Sequence, residues 1–166
     1  MSVASYFDGM DKAKAQGGGQ YIKGEGSFLV TIGRLFVNEG HKGKFFVAEF
    51  SVDESTSPQD PAGSTRSWVC PLQGERAQYS FGDIKNLIFA LTGHDPKDVG
   101  SPSENPELHG EATKLVMAAC DQAYAKKHGL DPTMLLGEKV FLETNAKPTK
   151  KGGTFTTHRW SPVTEE

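Results

Sequence analysis

"KFFVAEFSVDES", from Lys44 to Ser55, alternates without a break. Phe46, Ala48, Phe50 and Val52 fall on one side of it, and Phe45, Val47, Glu49 and Ser51 on the other. A strand turns successive side chains to opposite faces, so the stretch predicts a β-strand with its even-numbered face inward. Upstream, in "SFLVTIGRLF", Phe28, Val30 and Ile32 keep the same period, and Gly33 predicts a bulge or bend. Between the two lies "NEGHKGK", Asn38 to Lys44, read as a turn-rich connector. Downstream, "TSPQDPAGSTR" reads as a polar loop, and "SWVCPL" as a short third strand stopped by Pro71.

The period then changes. "SFGDIKNLIFALTG" places Ile84, Leu87, Ile88 and Leu91 on a helical stripe, with Ser80 as the expected N-cap and Gly93 as the stop. "PELHGEATKLVMAACDQAYAKKHG" predicts a second helix with Pro106 in its first turn. Its inward face would carry Leu108, Leu115, Val116, Ala119 and Cys120. "GEKVFLETNAK" and "GTFTTHRWSPV" close the chain as two strands joined by "KPTKKGG".

Five strands with a helical insert between the third and fourth predict a mainly β, α+β fold. This is the order of an oligonucleotide/oligosaccharide-binding (OB) barrel, here with two helices in the insert, residues 80–129. Gly33 and Gly137 would supply the bends that closing a small barrel needs. Residues 4–15 predict a short N-terminal helix, set off by Gly17–Gly19, so 1–19 form an appendage to a 20–163 domain. Residues 164–166 form a short acidic tail.

The chain has 166 residues and a formal charge of -3, enough length for one domain with a real core. It has no apolar run long enough to span a membrane and no secretory leader pattern, which together predict a cytoplasmic protein. Cys70 and Cys120 lack a CxxC spacing and predict reduced, buried thiols. No phosphate-binding loop, GxSxG or HExxH is present, and the five histidines are scattered. The sequence therefore predicts no enzyme, no metal and no cofactor.

Charge is distributed unevenly. Between Lys139 and Trp160, five cations (Lys139, Lys147, Lys150, Lys151, Arg159) face one anion, Glu143. Such a stripe either attracts phosphates or keeps a loop tip solvated. Single strands are held by stacking on exposed rings and by backbone charge. Strand parity points Phe45 outward, and Trp160 too if Phe155 is in the core; Trp68 lies beside Arg66. These rings are either stacking platforms or covered by the helices. The candidate nucleic-acid contacts are therefore Phe45, Trp68 and Trp160, with Arg34, Lys42, Lys44, Arg66, Lys147, Lys150, Lys151 and Arg159 for phosphates. Both inter-strand connections, "NEGHKGK" and "NAKPTKKGG", are basic and would wall the groove of an OB barrel.

The layout "GGGQYIKGEGSFLVTI…GKFFVAEFSVDES…GSTRSWVCPL…SFGDIKNLIFALTG…GEKVFLETNAKPTKKGGTFTTHRWSPV", over residues 17–163, resembles small bacteriophage OB-type proteins grouped with single-stranded-DNA-binding proteins. The resemblance implies single-stranded DNA as ligand, with little sequence preference, in phage replication or recombination. It further implies replication or recombination proteins as partners, and the host cytoplasm as location. The long insert departs from the minimal barrel and is a candidate surface for a partner or for homo-oligomers. The competing expectation is a non-enzymatic adaptor using the barrel for protein contacts, with Trp68 and Trp160 buried.

Overall fold

The computed structural model describes residues 21–22, 25–40, 43–148, 150, 152 and 154–163. The expected N-terminal helix and glycine linker, the acidic tail, Lys42 and Lys151 lie outside the described residues. The chain forms β1 (Gly26–Gly40), β2 (Gly43–Ser55), β3 (Thr65–Pro71), α1 (Ala77–Leu91), a 3-10 turn (Pro96–Asp98), α2 (Pro106–Cys120), α3 (Gln122–His128), β4 (Lys139–Pro148) and β5 (Thr154–Pro162). All five strands join one antiparallel sheet in the order β3-β2-β1-β4-β5.

The even-numbered side of β2 lies in the core as expected, while Val47, expected on the outward side, is buried as well. Phe46, Ala48, Phe50 and Val52 are all buried. In β1 the inward positions run Phe28, Val30, Ile32 and then Leu35, a change of parity. The register with β2 shifts between Ile32 and Arg34, which places a bulge at Gly33. Gly137 donates its N–H to the Ile32 carbonyl at 2.8 Å with φ +84, a conformation open to glycine but strained for other residues. Both expected bend glycines therefore act on the same point of β1.

The helices close one side of the sheet. Ile84, Leu87, Ile88 and Leu91 of α1 are buried, and α1 lies against β5, β3 and β4. The stop at Gly93 holds: its φ is +88 and its N–H bonds the Ala90 carbonyl. The start does not. The helix begins at Ala77, and Ser80 lies buried inside it, its N–H bonded to the Arg76 carbonyl. A turn at Gly74, φ +82, lets the chain enter the helix three residues early.

The expected second helix is two. Asp121 adopts an extended backbone, φ -140, and its carboxylate accepts from the N–H groups of Ala123 and Tyr124 at 3.0 and 3.1 Å. It therefore acts as an N-cap in mid-sequence, competing with continuation of α2 and restarting the helix as α3. Leu108, Leu115, Val116, Ala119 and Cys120 pack against the core as expected. Both cysteines are free thiols, and burial pushes Cys120 up to about 11 and Cys70 higher still.

Candidate nucleic-acid interface

Strand runs into both basic connections: "NEGHKGK" is strand at Asn38–Gly40 and Gly43–Lys44, and "NAKPTKKGG" is strand at Asn145–Pro148. β1 and β2 pair through Glu39–Lys44 to Gly40–Gly43, leaving a two-residue tip. β4 and β5 pair out to Pro148–Thr154. β4 joins the N-terminal part of β1, Gly26–Thr31, and runs past it, so the β4–β5 tip lies beyond the end of β1 opposite to the β1–β2 tip. Fifteen residues of strand span on the order of 50 Å when straight, and less when bent. The two tips therefore do not clamp one nucleotide between them.

The candidate cations separate into committed and uncommitted groups. Arg66, expected as a phosphate contact, is buried. Its Nε donates to Asp60 Oδ1 at 2.7 Å, and its two terminal nitrogens donate to the carbonyls of Thr65 and Gln59 at 3.0 and 3.2 Å. The guanidinium pins the 57–64 loop and faces no solvent groove. Lys44 is exposed but lies 3.9 Å from Glu39 across the hairpin. Arg34 is exposed and sits over the Phe36 ring, 4.1 Å from its centroid. Lys139 binds Asp53 at 2.8 Å and Thr31 at 2.9 Å, which removes it from the basic stripe. Lys147, Lys150 and Arg159 are exposed and form no ion pair with a described residue.

The tryptophans face inward. Trp68 and Trp160 are 6% and 2% exposed, so neither is an open stacking platform. Trp160 stands opposite Leu142, itself buried, so the core side of β5 is the even-numbered one. Parity counted from Phe155 misplaced it. The two indoles meet at 5.3 Å between centroids, joining side chains from the two edge strands of the sheet. Phe46 packs edge-on to Trp68 at 6.1 Å, and Phe50 to Trp160 at 6.0 Å. His158 completes the cluster, 5.8 Å from Trp68 and stacked 6.2 Å from Trp160. Burial pushes its imidazolium down to about 4, so the ring is neutral at pH 7.

Phe45 is half-buried, while Tyr21, Tyr79, Phe81 and Phe141 are the exposed aromatic rings among the described residues. Phe141 was legible, because it alternates with Val140 and Leu142 in β4. Tyr21 had no strand pattern to place it.

β3 and β5 meet through side chains without pairing their backbones among the described residues. Two hollows flank this junction, each of about 290 Å³, and His158 lines both. One also holds Tyr21, Ser67 and Thr156. The other lies between α1, the 3-10 turn and β5, and holds Asn86, Lys97 and Trp160. Ser67 Oγ and Trp160 Nε1 are buried without a hydrogen-bond partner among the described residues. Sequence carries no sign of this pair, since an orphaned polar atom exists only in a packed structure.

No group of three or more histidine, cysteine or carboxylate side chains is placed to hold a metal ion among the described residues. Among the same residues no helix is long and apolar enough to cross a membrane. Comparison of the sequence with protein-family models and with curated proteins gives no match.

Proposed function

We propose that the protein binds single-stranded DNA with little sequence preference, as an OB-type barrel without catalytic chemistry, in phage replication or recombination. The observation that carries this reading is the β4–β5 arm. Lys147, Lys150 and Arg159 stand exposed and unneutralised on it, and the same strand continues through His158 and Trp160 into the cleft beside β3. A strand of phosphates laid along β5 meets positive charge at the tip and an aromatic-walled cleft further on. The strand order, with helices inserted between β3 and β4, fits the OB arrangement and supports the same reading. On this reading the contact runs along β5, not between the two hairpin tips.

The test is titration of a labelled poly-dT oligonucleotide at several salt concentrations. Binding at micromolar protein in low salt is expected, weakening as salt rises. Each lost phosphate contact removes about 0.7 from the log–log salt slope for single strands. Changing Lys147, Lys150 and Lys151 together to alanine is expected to flatten the slope by about 2. No binding in low salt would sink the proposal, and an unchanged slope would move the contact off the arm.

A protein-contact reading has its own support. Both tryptophans are buried, as an adaptor requires. An apolar groove of about 490 Å³ runs between α1, α2 and the β1–β2 hairpin, with Phe81 and Met117 exposed along it. Indifference to oligonucleotides at every salt concentration is the result this reading expects.

A further inference from the structure

We infer that the apolar groove between α1, α2 and the β1–β2 hairpin seats the chain's own N-terminal segment, residues 3–11, as a helix with Val3, Tyr6, Phe7 and Met10 turned into it. None of the groove residues lies on the β4–β5 arm, so the docking is independent of the proposed single-strand contact.

The groove is open and apolar. Its volume of about 490 Å³ falls in the range of ligand sites. Val37, Phe81 and Met117 on its walls are 36%, 50% and 43% exposed, so their surfaces are available to a partner. Phe46 and Ile84, both buried, tie it to the core. Such side chains scattered singly would need no explanation, but gathered round one groove they mark an interaction surface. Lys85 is the one charged residue of the lining. Its ammonium lies 3.2 Å from His109 Nδ1 and forms no ion pair with a described residue.

Residues 1–20 lie outside the described residues, and their sequence supplies a matching occupant. In "VASYFDGMD", apolar residues recur at Val3, Tyr6, Phe7 and Met10. The spacing i, i+3, i+4, i+7 gathers all four on one helix face, the pattern by which an amphipathic helix fills a groove. A helix this short is marginal alone in water, so packing must stabilise it. Asp11, four residues after Phe7, falls at the edge of that face and supplies the carboxylate that Lys85 lacks. The connection is long enough. Tyr21 shares a hollow with Ser67, Trp68 and Val69. From Val69, β3 leads on through Pro71 to Leu72, which lines the groove, about 10 Å further along. Residues 12–20 span up to about 30 Å when extended. A tether this short holds the segment at roughly millimolar effective concentration, ahead of a free partner. A protein partner using this groove must therefore displace the segment.

Methionine methyl groups report on the docking. Met117 lines the groove, and Met134 is exposed outside its lining. The full chain, labelled with 13C at its methionine methyls, is compared by NMR with a variant carrying Tyr6→Ser, Phe7→Ser and Met10→Ser. The expected result is a nuclear Overhauser contact between the Met117 methyl and the ring protons of Tyr6 or Phe7 in the unchanged protein. In the variant the contact is lost and the Met117 signal shifts, while Met134 stays in place. No ring contact and an unmoved Met117 would overturn the inference. Contacts that vanish on dilution, together with a dimer at the higher concentration, would give the groove to a second copy's segment and overturn the assignment to the chain's own. Met117 and Met134 shifting together, without ring contacts, would mean a change of the whole fold and overturn it equally. The wild-type contacts decide the matter even if the variant fails to fold.

Discussion

Arg66→Ala is expected to destabilise the protein by about 3–5 kcal/mol, the cost of stripping one partner from a buried ion pair. Asp60 is fully buried, and the Arg66 side chain is nearly so. Removing the guanidinium leaves the carboxylate without its cation and strands the carbonyls of Gln59 and Thr65 as well. Arg66→Lys should recover only part of the loss, because an ammonium cannot donate in three fixed directions to Asp60, Gln59 and Thr65. Asp60→Asn added to Arg66→Ala should recover stability, since it removes the buried carboxylate charge whose cation has gone. Urea denaturation of the four proteins gives the comparison. A loss below about 1 kcal/mol for Arg66→Ala would mean that the pair does not hold the 57–64 loop. The same variant separates structure from binding: at temperatures where it stays folded, its oligonucleotide salt slope should match that of the unchanged protein.

Arg66 also shows where reading from sequence stops. A lone arginine beside a tryptophan in a strand is the right composition for a phosphate contact. What commits it is Asp60, six residues back in a loop whose path has no periodicity to follow. Trp160 fails to be placed for a related reason. Period 2 tells which residues share a face, but not which face is the core, and that choice needs a reference residue. In β2 four apolar residues in phase supply the reference, and Phe46, Ala48, Phe50 and Val52 come out buried as expected. In β5 the pattern offered Phe155 and Trp160 on opposite parities, and packing against Phe50 and Trp68 decided it. The bends were readable because glycine is the signal: Gly33 marks the bulge and Gly137 the entry to β4. The break at Asp121 was also written in the sequence, as an aspartate followed by the two N–H groups it caps, but the apolar stripe on both sides concealed it.

Folding stability is expected to fall by about 3 kcal/mol as pH drops from 7 to 4 through His158 alone. Its ordinary value is 6.5, and burial among the rings of Trp68 and Trp160 lowers it to about 4. Between those two values the unfolded chain binds a proton that the folded protein does not. The unfolded state therefore holds more protons in that window, and stability rises with pH across it. The contribution is complete above about 6.5 and gone below about 4. The charged residues lining the hollows around the ring are Asp95, Lys97 and Arg159, of which Lys97 pairs with Asp95 at 3.6 Å, and burial is what lowers the histidine. Carboxylates add their own pH dependence, so the measurement is a difference. Urea unfolding of the unchanged protein and of His158→Phe, at pH 7, 5.5 and 4, isolates the histidine because the carboxylates are common to both. The wild-type protein should lose about 3 kcal/mol more than the phenylalanine variant between pH 7 and 4, with roughly half of the difference present by pH 5.5. Parallel curves would show that the ring titrates near its ordinary value in the fold. The β3–β5 junction would then admit water to His158.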